Sequence, residues 1–304
     1  MNTKALHTIT AEDGLTQASI TPELGAWCTS LSMPSHQHSK QLLYQHPSLD
    51  QQSGAMLTPA GLRLCFPTCG QLNRQRFLGK YYFGGKIYEL PMHGFVWKLP
   101  WEIVNATTSQ LELVLRDNEI TFASFPFQFI AELDFLIYPK VLMCRFTITN
   151  RGQWPMPYYA GFNCYLQTAN SLADKEKMIL NYQPTFSYRY DDEVADMILE
   201  NDMMIHTPVA LTKLPAGELL TRVGEDTTVS LHYPDGDCLY IDAEGVGIDK
   251  LFPFVHLEQA GDQPCLGIHS WMGYPNAFNS IHGTRWLQPK SSEQGWVRLS
   301  YQSA

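Results

Sequence analysis

The chain has 304 residues, of which 44% are hydrophobic and 12% aromatic, and its formal net charge at pH 7 is −9. That apolar share suffices for a folded core and excludes wholesale disorder, while an acidic chain without clustered Lys and Arg lacks the basic surface that nucleic-acid binding requires. Since no apolar run approaches the ~20 residues that span a bilayer, we expect a soluble, cytoplasmic protein that binds neither nucleic acid nor a membrane.

Seven cysteines are scattered along the chain without a CxxC pair. Because a chain of this length folds without disulfide staples, we predict reduced thiols that lie mostly in the core. Cys65 and Cys69 are four residues apart, a spacing that two metal ligands on a loop could have. Cys65 stands in an apolar segment, however, and this favours a packing role.

The first third of the chain predicts a hairpin, a loop and a buried strand. Polar and apolar residues alternate from Leu15 to Leu31 around a turn that contains Pro22 and Gly25, which is typical of two paired strands. A polar stretch with three histidines follows and predicts a solvated loop, although histidine-rich loops can also bind metal; the histidines are His36, His38 and His46.

Arg63 is the single charge in the apolar segment from Gly61 to Gly70. An arginine in such a strand lies either at the sheet surface or in a polar pocket, where its forked donors can hold sugar hydroxyls. The segment itself leaves both positions open.

A reactive group is predicted at His93, in the sequence Met92-His93-Gly94-Phe95-Val96-Trp97. Histidine gains and loses its proton most easily near neutral pH, and this one stands beside a glycine between two hydrophobic, strand-like segments.

The middle of the chain predicts strands with a period of two, within segments 111–115, 125–129, 131–137 and 141–150. No long amphipathic helix interrupts them, which indicates an all-β protein. The acidic stretch that follows predicts a solvated loop or short helix that could supply a carboxylate; its acidic residues are Asp191, Asp192, Glu193, Asp196, Glu200 and Asp202.

The last third predicts two strands joined by a turn, over segments 251–258 and 265–271. The first carries His256 and Glu258, which are two residues apart and therefore share a face. The second carries His269 and Trp271.

Together these segments resemble the aldose 1-epimerase (galactose mutarotase-like) family. The resemblance is carried by His93-Gly94-Phe95 with the following Pro100-Trp101, by the Phe66-Pro67 element and by Gly161-Phe162-Asn163, and it continues to the closing strand. It implies one galactose mutarotase-like domain over residues 1–304, folded as a large antiparallel β-sandwich, the supersandwich of that family. It also implies a hexose or related sugar as ligand and no cofactor or metal.

The resemblance assigns roles to individual positions. His93 corresponds to the first catalytic histidine, and Arg63 falls where the family lines its sugar site. Asn163 stands where close family members have the histidine that acts as general acid, and His269 stands where the family has the catalytic glutamate, in a motif of which Trp271 is retained. An amide donates a hydrogen bond but cannot deliver a proton.

Three functions therefore stay open. In the first, an epimerase works with a rearranged pair, with His269 as base, His93 as acid and Glu258 orienting His269. In the second, a pocket with Arg63, His93, Asn163 and Trp271 hydrogen-bonds and stacks a sugar but performs no chemistry.

The third function is a metal site built from His93, His256, His269 and a thiol. The particular sugar and the oligomeric state are not predicted by the sequence.

Overall fold

The computed structural model describes residues 6–36, 38–47, 58–190, 197–199, 205–259, 263–280 and 283–304. The acidic residues between 191 and 202 lie outside this part, as do residues 261 and 262 of the predicted turn.

The described strands are, in chain order, β1 (His7–Thr10), β2 (Gln17–Thr21), β3 (Trp27–Pro34), β4 (Ser39–Gln41), β5 (Leu62–Cys65), β6 (Asn73–Arg74), β7 (Phe77–Leu78), β8 (Lys80–Phe83), β9 (Lys86–Glu89), β10 (Glu102–Ala106), β11 (Gln110–Arg116), β12 (Phe129–Tyr138), β13 (Val141–Asn150), β14 (Met156–Tyr158), β15 (Gly161–Gln167), β16 (Ile179–Asn181), β17 (Pro184–Tyr190), β18 (Met197–Leu199), β19 (Val209–Ala210), β20 (Gly217–Val223), β21 (Val229–His232), β22 (Cys238–Gly245), β23 (Phe254–Gln259), β24 (Cys265–Trp271), β25 (Arg285–Leu287) and β26 (Ser292–Gln302). Two short helices are described, α1 (Glu119–Ser124) and α2 (Leu172–Lys175).

Two large sheets make up most of the fold. Among the described strands, sheet I has 11 in the order β1-β2-β3-β5-β15-β24-β23-β20-β17-β18, with β4 beside β3. Sheet II has 9 strands in the order β10-β11-β12-β13-β26-β22-β21-β16-β19. Neighbouring strands pair antiparallel, for example β12 with β13 and β15 with β24. The predicted all-β sandwich is confirmed.

The core lies between the two sheets and fixes which face of each strand is turned inward. Along β13 every second side chain is buried, as the alternating sequence predicts. Phe146 of β13 packs against Phe162 of β15 with ring centroids 5.8 Å apart, so Phe162 points between the sheets. Because side chains alternate along a strand, Asn163 points to the outer face of sheet I.

Several sequence predictions can be compared with these elements. The hairpin is confirmed as β2 and β3, joined by a 3-10 turn at Pro22–Leu24. The strand expected to begin near Leu251 begins at Phe254, after Pro253, which has no N–H for a ladder. The strand expected over 125–129 was wrong for residues 125 to 128, since β12 begins at Phe129.

All seven cysteines are buried and free, as predicted. Within the described residues, no helix has both the length and the apolar character that crossing a membrane demands. The assignment of residues 1–304 to one domain stays a prediction.

Candidate active site

Four polar side chains form a row across neighbouring strands of sheet I. Arg63 of β5 pairs with Asn163 of β15, and His269 of β24 pairs with His256 of β23. The pairing of Phe162 with Ser270 places Asn163 across from His269, which joins the two halves of the row. All four residues are buried. The register of the sheet therefore brings together groups that are up to about 200 positions apart in the sequence.

His93 reaches this row from a loop. Its backbone is left-handed, with φ 62°, and Gly94 follows with φ 78°. A Cβ at Gly94 would collide with the carbonyl of Phe66, so only glycine lets the loop pack against the end of β5. The imidazole of His93 stacks on Trp97 with centroids 4.8 Å apart and lies beside Asn163.

The amide of Asn163 has a fixed orientation. Its Oδ1 accepts a hydrogen bond from the indole N–H of Trp271 at 2.8 Å and another from the thiol of Cys65 at 3.3 Å. An indole nitrogen can only donate, so Oδ1 faces Trp271 and Nδ2 faces His93.

Two hydrogen-bond donors therefore meet at the centre of the site. The backbone N–H of Gly70 donates to Nδ1 of His93 at 3.0 Å, which leaves the proton of the neutral ring on Nε2. That Nε2 lies 3.5 Å from Nδ2 of Asn163, which is also a donor. An oxygen atom placed beside both nitrogens would accept from both.

His269 holds a carboxylate at the other side of the row. The backbone N–H of Cys164 donates to its Nδ1 at 3.0 Å, and its Nε2 lies 3.4 Å from Oε2 of Glu258. The hydroxyl of Tyr165 donates to the same oxygen at 2.8 Å. A Cβ at Gly267 would lie 2.7 Å from Nε2 of His269, so this glycine makes room for the ring.

The protonation states follow from these surroundings. Burial lowers the pKa of His269 below its ordinary value, so the ring is neutral near pH 7. Burial alone would raise the pKa of Glu258, but the hydrogen bonds that its carboxylate accepts from His269 and from the Tyr165 hydroxyl outweigh burial and lower that pKa to about 2. The site thus contains an ionised carboxylate bonded to a neutral imidazole.

Arg63 lies buried at the end of the row rather than at the sheet surface. Its guanidinium carbon lies 3.5 Å from the centre of the Trp27 ring and 4.9 Å from that of Trp97. Burial lowers its pKa to about 9, so the side chain still carries its charge at neutral pH. Planar stacking on aromatic rings is a contact for which arginine is well suited.

Sequence reasoning missed Tyr165 and Glu218. Tyr165 is two residues after Asn163 on β15, so the alternation of a strand could have placed it on the same face. Glu218 of β20 pairs with Glu258, and its Oε2 lies 3.3 Å from Nε2 of His256. No local pattern marks Glu218, because its neighbour is set by the pairing of two distant strands.

The side chains of Glu258 and Glu218 are 25% and 43% exposed, so they mark the side on which the site meets solvent.

Other candidate features lie apart from this row or have no support. A cavity of about 900 Å³ is lined mainly by aromatic and amide side chains, among them Phe122, Trp154 and Trp286, and none of the candidate site residues lines it. Within the described parts of the chain, no group of three or more His, Cys, Asp or Glu side chains is arranged to hold a metal ion.

Comparison with known proteins identifies the family. The family model described as aldose 1-epimerase matches residues 7–197. The chain belongs to the aldose 1-epimerase family. The match includes Arg63, His93 and Asn163 but ends before the strands that carry Glu258 and His269. The correspondence of Asn163 and His269 to the acid and base of the family therefore stays a prediction.

Solved structures share the fold. A protein from Synechocystis sp. PCC 6803 is 22% identical, with a TM-score of 0.82 over 100% of this chain and 97% of its own. A galactose mutarotase-like protein from Lactobacillus casei is 18% identical, with a TM-score of 0.78 over 98% and 100%. A galactose mutarotase related enzyme from Lactobacillus acidophilus is 19% identical, with a TM-score of 0.74 over 98% of each chain. None of the curated proteins matches the chain.

Proposed function

We propose that this member of the aldose 1-epimerase family binds a hexose or related sugar at the row of polar residues on sheet I and interconverts its anomers. Anomer exchange needs one group that takes the proton of the anomeric hydroxyl and another that serves the ring oxygen, so that the ring opens and recloses. The observation that carries the proposal is that an ionised Glu258 and the paired donors of His93 and Asn163 lie on one face of the sheet.

Glu258 is the better candidate for the base. Neutral His269 accepts from the N–H of Cys164 at Nδ1 and carries its proton on Nε2, so neither nitrogen has a free lone pair for a sugar proton. The carboxylate of Glu258 does. The hydrogen-bond pattern thus favours an exchange of the roles expected from the sequence, with His269 holding Glu258. A sugar that covers Glu258 would remove water from the carboxylate, which raises its pKa and strengthens it as a base.

His93 and Asn163 suit the ring oxygen. Both direct N–H donors to one place, where a sugar oxygen could accept from each. Trp271 orients the amide of Asn163, and Arg63 supplies a positive charge at the end of the row.

A second candidate is a sugar-binding protein without catalysis. It is favoured by one observation, namely that the amide of Asn163 occupies the centre of the site and cannot deliver a proton. In that case the same donors and the aromatic rings would hold the sugar and no anomer exchange would follow.

Anomer exchange of glucose and galactose, measured by NMR, distinguishes these candidates. We expect acceleration by the wild type, loss of acceleration in His93→Ala, and an unchanged rate in His36→Ala, because His36 is exposed and outside the row. Shifts on sugar addition without acceleration would support the binding protein. The absence of both effects for both sugars would overturn the proposal.

A further inference from the structure

Two carboxylates face solvent together beside the His256 end of the row. Glu258 of β23 and Glu218 of β20 stand directly opposite each other in the antiparallel register, so their side chains share the outer face of sheet I. They are 25% and 43% exposed, whereas none of the four residues of the row is more than 5% exposed. A ligand that approaches from solvent therefore meets these carboxylates first.

The carboxylates are held side by side rather than turned apart. Oε2 of Glu258 lies 3.4 Å from Nε2 of His269. Oε2 of Glu218 lies 3.3 Å from Nε2 of His256, and the two imidazole rings are 5.3 Å apart with their planes at 20°. Side chains directly opposite each other on paired strands have Cβ atoms about 4.5 to 5.5 Å apart, and like charges at that spacing are destabilising. A positive charge placed beside the pair would relieve this repulsion.

The described residues do not supply that charge from a lysine or an arginine. Neither carboxylate forms an ion pair with such a side chain in the described parts of the chain. Arg63 lies on β5, four strands away from β20, a separation of about 19 Å at ~4.8 Å per strand. Charges so far apart are largely screened in solution. The site is therefore positive at one end and negative at the other.

His256 is a second sign that this end of the row lacks a partner. It is 2% exposed, and neither of its nitrogens makes a hydrogen bond within the described residues. Its Nε2 is near Glu218 but without the alignment of a hydrogen bond. Buried polar groups without a bond are costly and rare. Since Glu218 accepts no hydrogen bond from the ring, its oxygens are available to donors of a ligand.

The position of the sugar determines which of its atoms reaches Glu218. In the proposed function the anomeric hydroxyl faces Glu258, and the ring oxygen faces the donors on the side of β15. The ring oxygen and C2 are the two ring neighbours of C1, so C2 extends away from the ring oxygen. Strands β15 and β20 lie on opposite sides of β23 in the sheet. The substituent on C2 is therefore directed toward β20 and Glu218.

We propose that the ligand of this site is a 2-amino-2-deoxyhexose in its protonated form, and that Glu218 holds its ammonium group while Glu258 faces the anomeric hydroxyl. The inference rests on the proposed function and names its substrate class. An ammonium group has three N–H donors and a charge that complements the carboxylate pair. Charge-assisted hydrogen bonds are about twice as strong as neutral ones, so an amine at C2 is preferred over a hydroxyl.

The test compares the affinities of glucosamine and glucose, which differ in the ammonium or hydroxyl group at C2. NMR titration at about pH 6.5 keeps the amine protonated. We expect wild type to bind glucosamine about 10-fold more tightly than glucose, because a charge-assisted hydrogen bond replaces a neutral one. In Glu218→Gln the ratio of the two Kd values should fall toward unity. The control is Glu244→Gln, at an exposed glutamate on β22 of sheet II, which should keep the wild-type ratio.

A position isomer separates contact with Glu218 from a general attraction of cations to an acidic protein. The isomer 3-amino-3-deoxyglucose carries the same charge on the neighbouring carbon, so we expect wild type to bind it about as weakly as glucose. Equal affinities for the two amino sugars would overturn the contact at C2. Because this comparison uses wild type alone, it decides the inference even if Glu218→Gln fails to fold.

The outcomes distinguish this inference from the proposed function. If wild type accelerates the anomer exchange of glucose but the affinity ratio is near unity, or persists in Glu218→Gln, the substrate class is overturned and the proposed function stands. Tighter binding of glucosamine that depends on Glu218, without faster exchange of either sugar, would support the ligand and overturn the anomer exchange. If neither sugar binds, both are overturned.

Discussion

The indole N–H of Trp271 donates to Oδ1 of Asn163 at 2.8 Å, and this bond determines that the amide N–H₂ group faces His93. Trp271→Phe keeps an aromatic ring in the stack but removes the donor. The amide can then turn, and we expect sugar affinity to fall about 3- to 10-fold, in line with ~1 kcal/mol for one hydrogen bond. Titration followed by NMR measures this, with Trp154→Phe as the control, since Trp154 is 76% exposed. Equal affinities in the two variants would contradict the role of the bond.

Glu258→Gln tests the assignment of the base. The amide can still accept from Tyr165 and His269 but takes no proton, so we expect anomer exchange to slow by about 10²- to 10⁴-fold while the sugar still binds. The exposed Glu12 provides the matched control, Glu12→Gln. If Glu258→Gln exchanged anomers at the wild-type rate, Glu258 would not be the base and another group would have to take the proton.

How far the sequence predicts this site can be seen from β24 and β23. The alternation of apolar residues predicted the strands, and the family resemblance selected Asn163 and His269, which the register places across from each other. The sequence could not show, however, that His269 is poorly suited to act as the base. The tautomer of His269 depends on a backbone N–H of Cys164, and no side-chain pattern reveals where a backbone donor points. Glu218 likewise acquires its neighbour from the long-range pairing of β20 with β23.

Restoring the acid and base expected from the family tests the local electrostatics. In the double variant Asn163→His with His269→Glu, a second carboxylate would lie beside Glu258, because Nε2 of His269 is 3.4 Å from that side chain. Two carboxylates so close cannot both ionise cheaply, which raises the pKa of one of them. We therefore expect the double variant to be less stable at pH 8 than at pH 5, measured by denaturant unfolding.

Adding Glu258→Gln to that double variant removes the like charge. The triple variant should regain stability at the higher pH and be the better candidate for restored activity. Equal stability of the double and triple variants at both pH values would show that the two carboxylates do not interact.

Arg63→Lys tests the stack at the end of the row. A lysine keeps the charge but loses the planar group that lies 3.5 Å from the centre of the Trp27 ring. We expect the free energy of unfolding to fall by about 1 to 2 kcal/mol, the range for a desolvated cation–π contact. The exposed Arg151 gives the control, Arg151→Lys, which should change stability little. If both variants unfold alike, the stack contributes nothing measurable.

The buried, neutral state of His269 predicts how stability depends on pH. Its folded-state pKa lies below the ordinary value of 6.5, so as the pH falls below that value the unfolded chain takes up a proton that the folded chain does not. Stability is therefore full above about pH 6.5 and is lost as the pH falls toward the folded-state pKa, with a slope of at most about 1.4 kcal/mol per pH unit for one proton.

His269→Asn retains an acceptor for the N–H of Cys164 but does not titrate, so its unfolding free energy should fall less than that of wild type between about pH 7 and pH 5. His36→Asn, at an exposed histidine outside the row, supplies the comparison. Glu258, with its pKa lowered to about 2, adds a second loss only when the pH falls below its ordinary value of 4.5, so the contribution of His269 is measured above that range. If the unfolding free energy of His269→Asn fell with pH as steeply as that of wild type, His269 would take up its proton in the folded state. The assignment of His269 as a neutral ring that donates to Glu258 would then be wrong.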